Sequence, residues 1–483
     1  MRAAEAAAFA RGITAGMLMD EAAGGIAASV RTFFPRPGRC VVFAGTGNNA
    51  GDVIAAAELL SRDGWDIDLR LAFPENKCGE LPRKMLAALR ATMGRAKPAP
   101  PTGGTTCTII LDGLLGVGGK PPLREPILAA CREINRLRRE EGAFVYAADG
   151  PSGIDSDSGE ADADCVRADV TAAIGFVKQG LLSDRATDLV GRIEVLPLKE
   201  LRPLQFKTIS VTGDRAAIRD LLPRRNFLSH KNQFGRVGIV AGSRGLTGAA
   251  VLCSLGALRA GAGLFELFVT DDVYPILAAA AAPEVMVKPV DSYRSLTKEP
   301  IDVWGVGSGL GREHSAEIIR FIESTAAPIV LDADALNMLA GKMRVLQRSS
   351  APRLLTPHPG EMKRLFPAEG MSRSETAAAF TAKYSATLLF KGSRTIVAET
   401  GKPMSYNTTG NPGMATGGMG DVLTGVCAAL IAQKLSLYDA ARMGAWLCGR
   451  AAEIAIFAGN ASEESLLPTD VLANLGSAFR ELR

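Results

Sequence analysis

The chain has 483 residues, 47% of them hydrophobic and 22% charged, with a formal net charge of +4. At about 150 residues per domain, this length predicts two to four domains with well-buried cores. So small a charge argues against a nucleic-acid or membrane-surface binder, and no apolar run approaches the roughly 18 residues of a spanning helix. The opening residues lack the basic segment and apolar core of a secretory leader. Eight cysteines form no C-x-x-C pair and read as buried thiols of a reducing cytoplasm. Three histidines are too few to suggest a histidine-based metal site.

Residues 2–34 are Ala-rich at helical spacing. Residues 39–44 then read as a short buried strand, 52–63 as a helix, 66–73 as a strand and 80–93 as a helix. A Pro/Gly/Thr loop follows at 97–106, a strand at 107–111 and a charged amphipathic helix at 126–140. Residues 143–148, 169–175 and 192–196 read as further strands. This alternation predicts an α/β, Rossmann-like sandwich: a largely parallel sheet with helices on both faces. Ligands of such sheets bind beyond the carboxyl ends of the strands. Three polar clusters fall there: Gly45 to Asp52, Asp112 to Pro122, and Asp149 to Asp155. Their glycines admit the phosphates of a dinucleotide. Asn49, Asp112 and Ser152 offer oxygen ligands suited to a hard monovalent or divalent cation. Each cluster taken singly is also ordinary turn chemistry.

Residues 199–215 change character, with no strong period, and mark a boundary between domains at 1–205 and 206–483. Strands follow at 236–241, 264–270, 303–306, 329–331, 353–355 and 388–390, the last with a hairpin partner at 396–398. A helix from 247 to about 259 carries a small-residue face. Polar clusters again follow strands: Gly307–Gly311, Asp332–Asn337, Thr356-Pro-His358-Pro-Gly-Glu361, and Lys391-Gly392-Ser393-Arg394-Thr395. Near the end, Gly413, Gly417, Gly418 and Gly420 run directly into an apolar helix pattern (Val422, Leu423, Val426, Leu430). A glycine loop opening a helix presents free N–H groups and the positive end of the helix dipole, a site for phosphate. Asp421 is a poor phosphate ligand there but a good base for an attacking hydroxyl. It also suits a helix start, where Asp is common. Asp332 and Asp334 read equally as ligands or strand-end turn formers, and His358 as a pocket residue or the cap of a short helix. Lys391 reads as a hairpin charge or a neighbour of the phosphate loop. The arrangement is that of a ribokinase-like α/β domain.

The first half resembles the NAD(P)H-hydrate epimerases, through Gly-Thr-Gly-Asn48-Asn49-Ala50-Gly51-Asp52, Asp112…Gly116-Val-Gly and Asp149-Gly-Pro-Ser152-Gly-Ile-Asp155. It departs from their usual pattern at Ala50, Val53 and Gly150. The resemblance implies contact with a hydrated nicotinamide cofactor by Asn48, Asn49, Ala50, Gly51, Asp52, Gly116, Val117, Gly118, Gly119, Lys120, Pro121 and Pro122. It implies potassium held by Asn49, Asp112 and Ser152, and an acid/base role for Asp149 at C6.

The second half is similar to nucleotide-dependent (S)-NAD(P)H-hydrate dehydratases, through Gly307-Ser-Gly-Leu-Gly311, Leu331-Asp-Ala-Asp-Ala-Leu-Asn337, Thr356–Glu361, Lys391-Gly392 and Gly417–Gly425. It departs from them at Ser308, Asn232 and Leu447-Cys448. This resemblance implies that Asp421 deprotonates the C6 hydroxyl for attack on the terminal phosphoryl group of ADP or ATP, with Mg²⁺ on the nucleotide. Lys391, Gly392, Ser393, Arg394, Thr395 and Gly420 are then expected at the AMP portion. Ala250, Gly309 and His358 are expected to line the hydrate pocket. The whole chain is thus expected to repair NADHX and NADPHX as a cytoplasmic homo-oligomer, with ADP the expected donor from the two-domain order. The alternative is a small-molecule hydroxyl kinase carrying a non-catalytic N-terminal binding module.

Overall fold

The computed structural model describes residues 1–94, 107–201, 210–222, 224–349 and 351–483. The loop expected at 97–106 lies outside these, as does part of the expected boundary, 202–209. The chain divides into two compact units, Met1–Lys207 and Thr208–Arg483.

The first unit is built on β1 (Arg39–Ala44), β2 (Asp66–Leu71), β3 (Thr108–Gly113), β4 (Phe144–Ala148), β5 (Val170–Ile174) and β6 (Arg192–Leu196). They form one sheet in the order β2-β1-β3-β4-β5-β6, and every pair is parallel. Parallel sheets are covered on both faces, which is why Cys40–Ala44 and residues 109–113 are unbroken buried runs rather than alternating ones. The helix Asn48–Arg62 packs Val53, Ile54, Ala56, Ala57 and Leu60 into this core. It begins four residues before the expected 52. Gly47 is its N-cap in extended conformation, and the Gly47 carbonyl accepts from the Ala50 and Gly51 N–H groups. Asn48 to Asp52 are therefore the first turn of a helix, not a loop. The Ala-rich opening is two helices, Arg2–Phe9 and Ala15–Phe33, broken at Gly12, where φ is +88°.

The second unit holds a sheet of ten strands. They are β7 (Ser210–Gly213), β8 (Arg236–Val240), β9 (Leu264–Thr270), β10 (Met286–Val290), β11 (Val303–Val306), β12 (Ile329–Leu331), β13 (Arg353–Leu355), β14 (Thr387–Phe390), β15 (Ile396–Ala398) and β16 (Met404–Asn407). Their order is β10-β9-β8-β11-β12-β13-β14-β15-β16-β7. The run from β10 to β14 is parallel, and β14-β15-β16 is antiparallel. β8, β11, β12, β13 and β14 are consecutive, so the segments after them all emerge at one edge.

The small-residue face of the helix Thr247–Arg259 lies against the helix Met419–Ala432. A Cβ at Gly425 would strike the Cys253 carbonyl, and one at Gly256 would strike that of Val422. The two backbones touch, and this contact fixes where the start of the second helix stands against the sheet edge. Among the described residues, no helix is long and apolar enough to cross a membrane.

Candidate active sites

In the first unit, β1, β3 and β4 are neighbours, so their three polar clusters meet. Asp112 is completely buried. Its Oδ1 accepts from the Ser152 hydroxyl (2.7 Å) and the Leu114 N–H (3.2 Å), and its Oδ2 accepts from the Ser152 N–H (2.8 Å). Burial pushes its carboxyl up to about 6, against the pull of those donors. The Asn49 amide donates to the Leu115 carbonyl (2.7 Å) and the Ala148 carbonyl (3.0 Å), tying the helix start to the ends of β3 and β4. Asn49 Oδ1 is buried without a hydrogen-bond donor. An orphaned acceptor beside a buried carboxylate and a serine hydroxyl fits a monovalent cation, because a cation supplies the positive charge that no donor does.

Asp149 follows β4 with φ at +64°, in the left-handed region that side chains other than glycine seldom enter. Such strain persists only where the surroundings enforce it. Lys178, after β5, ion-pairs with Asp149 Oδ1, which also accepts from the Ile174 N–H (3.1 Å). Lys178 itself is 8% exposed. Asp52, in the helix Asn48–Arg62, is within electrostatic reach of the same pair. Burial first, then Asp149 and Glu5, push its carboxyl up to about 8, with Lys178 opposing.

The remaining expected cofactor residues are divided. Asn48, Gly118, Lys120 and Pro122 are exposed, Gly116, Val117, Gly119 and Pro121 half-buried, and Gly51 buried. The Lys120 ammonium lies 3.2 Å from Asp155. Ala50 is wholly buried and its N–H is taken by Gly47, so its side chain offers no surface to a ligand. At Gly150 a Cβ would meet Leu181, Ser156 and Ile154 at 3.6–3.9 Å, an ordinary contact.

In the second unit, Gly418 takes φ at +95° and opens the helix Met419–Ala432, with no side chain capping its first turn. The amides of that turn take no side-chain cap and carry the positive end of the helix dipole, and Asp421 is its third residue. A Cβ on Gly420 would lie 3.2 Å from Lys391 Nζ and 3.3 Å from Asp332 Oδ2. Three segments distant in sequence therefore converge at one point. Lys391 Nζ donates to Asp332 Oδ1 (2.7 Å), which also accepts from the Thr356 hydroxyl (2.8 Å); Asp332 Oδ2 accepts from the Thr424 hydroxyl (3.1 Å). Burial alone would lower the Lys391 ammonium, but Asp332 and Glu361 outweigh it and hold it charged. Burial and then Asp332 push the Asp421 carboxyl up to about 6, while the Ser308 hydroxyl and Lys391 restrain it. A base poised there suits proton abstraction near neutral pH.

Asp334 accepts from the Gly311 N–H (2.9 Å) and pins the loop after β11, where the Gly309 carbonyl accepts from the Ser243 hydroxyl (2.9 Å). His358 is the N-cap of the helix Pro359–Leu365, and its Nδ1 accepts from the Gly360 N–H (3.0 Å). It does cap a helix, yet its side chain is 51% exposed and remains open to a ligand. Gly392 and Ser393 are exposed, Thr395 is half-buried and Arg394 is buried. Ala250 is wholly buried in the helix Thr247–Arg259 and lines no open surface here.

Family models match both units: one described as YjeF-related protein N-terminus over residues 15–180, and one described as NAD(P)H-hydrate dehydratase over residues 237–475. A bifunctional NAD(P)H-hydrate repair enzyme of Moorella thermoacetica is 35% identical over 92% of this chain and 88% of its own length. The chain belongs to the bifunctional NAD(P)H-hydrate repair enzymes. The relative of that name in Escherichia coli is 33% identical over 92% of this chain and 86% of its own. Among solved structures, an ADP/ATP-dependent NAD(P)H-hydrate dehydratase from Bacillus subtilis, co-crystallised with ATP and Mg²⁺, is 27% identical. It covers 56% of this chain and 98% of its own, with a TM-score of 0.50. A ribokinase-like superfamily protein from Enterococcus faecalis is 26% identical with a TM-score of 0.51, covering 58% of this chain and 99% of its own.

Within this family member, sequence reasoning passed over two residues that the structure places at the sites. Lys178 sits beyond the end of β5 in an apolar stretch, Phe176-Val177-Lys178, where a lone lysine was the available signal. Thr424 lies inside an apolar helix pattern, where a threonine carries no pattern of its own.

Proposed function

We infer that this chain repairs hydrated nicotinamide cofactors, with the first unit interconverting the R and S forms of NADHX and NADPHX and the second dehydrating the S form with ADP or ATP. The observation that carries the second activity is the convergence of Asp421, Lys391 and the uncapped turn Gly418–Gly420 at one sheet edge. In this reading the Asp421 carboxylate takes the proton of the C6 hydroxyl as that oxygen attacks the terminal phosphoryl group. The turn's amides and Lys391 stabilise the negative charge that spreads on the phosphoryl oxygens, as fixed donors do. The ring nitrogen then expels phosphate and the C5–C6 double bond forms on loss of a C5 proton. Hydroxide is a poor leaving group and phosphate a good one, which accounts for the nucleotide. Mg²⁺ bound to the nucleotide would supply further charge neutralisation. Lys391–Thr395 with Gly420 hold the AMP portion, and Gly309 and His358 meet the hydrate.

In the first unit Asn49, Asp112 and Ser152 hold potassium, and Asp149 moves protons at C6. ADP is the donor in this reading, and the protein is a cytoplasmic homo-oligomer that engages neither nucleic acid nor membrane. The hydroxyl-kinase alternative is not favoured, since family relatives align with both units. Asp421→Asn tests the dehydratase assignment. It is expected to abolish dehydration of the S epimer while nucleotide still binds by calorimetry; substantial remaining dehydration rules Asp421 out as the base.

A further inference from the structure

Lys178 has no place in the reaction as set out so far, yet the fold buries it. A lysine loses hydration when buried and stays only where a partner compensates. Here the partners are two: Asp149 Oδ1, with which it ion-pairs, and the Ile174 carbonyl, 3.1 Å from its Nζ. The Ile174 N–H also binds Asp149 Oδ1. Asp149, Lys178 and the end of β5 thus form a closed set of bonds around one carboxylate oxygen. All of these bonds fall on Oδ1, which leaves Oδ2 as the oxygen able to meet a substrate. The same bonds hold the left-handed backbone of Asp149 in place.

We propose that Lys178 is the positioning residue of the epimerase reaction, fixing Asp149 so that Oδ2 is the base at the C6 hydroxyl. The inference rests on the epimerase reading of the first unit. In the forward half-reaction Asp149 takes the hydroxyl proton. The C6–N1 bond breaks, its electron pair goes to N1 and C6 becomes an aldehyde. N1 takes up a proton from water. Rotation about C5–C6 offers N1 the opposite aldehyde face. On reclosure N1 attacks C6 and gives its proton back to water, and Asp149 returns its own to the oxygen. Nothing is gained or lost over the cycle.

The test uses the full chain with ADP, Mg²⁺ and potassium on a mixture of R and S hydrates, following reduced nicotinamide. The fast phase consumes S, and the slow phase, limited by R, reports the first unit. Lys178→Met is expected to lower kcat of the R phase by about 10²–10³-fold, the scale of a lost acid/base arrangement. KM is expected to stay within about threefold and the S phase unchanged. Lys178→Arg, which keeps a cation, is expected to recover to within about tenfold of wild type. A wild-type R phase in Lys178→Met, or a Lys178→Arg protein no better than it, overturns the proposal. So does a KM that rises in step with the loss, because it marks a merely structural role. If Lys178→Met does not fold, Lys178→Gln takes its place and is read by the same criteria. A wild-type protein without any R phase refutes the epimerase reading itself, which separates the two failures.

Discussion

Asp421 carries a conflict between stability and chemistry that can be measured. Its carboxyl is moved from 3.8 to about 6, chiefly by burial and by Asp332. A raised carboxyl means that folding disfavours the charged form. The neutral form's contribution is fully present below about 4 and is lost as pH rises through about 6. At neutral pH the ionised group therefore destabilises the second unit by on the order of 3 kcal/mol, at 1.36 kcal/mol per pKa unit. Asp421→Asn removes the charge while keeping the shape. With no nucleotide present, it is expected to raise the unfolding temperature of that unit by roughly 5–10 °C at pH 8. The gain is expected to shrink by about half at pH 5, where the wild-type group is mostly protonated. Scanning calorimetry of the full chain at both pH values is the assay. An asparagine variant no more stable than wild type at pH 8, or an advantage that does not change with pH, refutes the claim that this carboxyl is held against its charge.

The same carboxyl must be ionised to act as a base, so kcat/KM for the S epimer is expected to fall about tenfold per pH unit below about 6; a profile flat down to pH 5 contradicts it. Asp149→Asn is expected to abolish turnover of the R epimer and leave that of S untouched, and an unchanged R phase removes Asp149 from the acid/base role. Asn49→Leu deletes the orphaned acceptor, and with it the response of R turnover to added potassium is expected to disappear; a full response in the variant places the ion elsewhere.

The fold was legible where the sequence pattern reports burial directly. Residues 39–44, 192–196, 264–270, 303–306, 329–331, 353–355 and 396–398 read as strands with the limits the structure has. The elements that were missed lack such a pattern. Ser210–Gly213 lies in a stretch without a period, and its strand is defined only by its partner Met404–Asn407. Met286–Val290 contains a proline and pairs at the sheet edge. The early start of the helix Asn48–Arg62 was hidden because Gly-Asn-Asn is turn chemistry locally; tertiary bonds from Asn49 to the ends of β3 and β4 override it. At the sites, the strand-end clusters could be read because ligand-bearing segments of parallel sheets emerge at one edge. Which of their members face that edge could not. Ala50 and Ala250 are wholly buried, and Lys178, from a segment without a motif, stands on Asp149. Spacing identifies segments, whereas side-chain direction at a helix start depends on packing from elsewhere in the fold.

The central claim is that one chain carries both activities. Its most direct test is the recovery of reduced-nicotinamide absorbance from a mixture of R and S hydrates with Mg²⁺, potassium and either ADP or ATP. Full recovery of both epimers, faster with ADP, is the predicted result. Recovery that stops when the S epimer is exhausted contradicts the claim for the first unit, and no recovery with either nucleotide contradicts it for the whole chain.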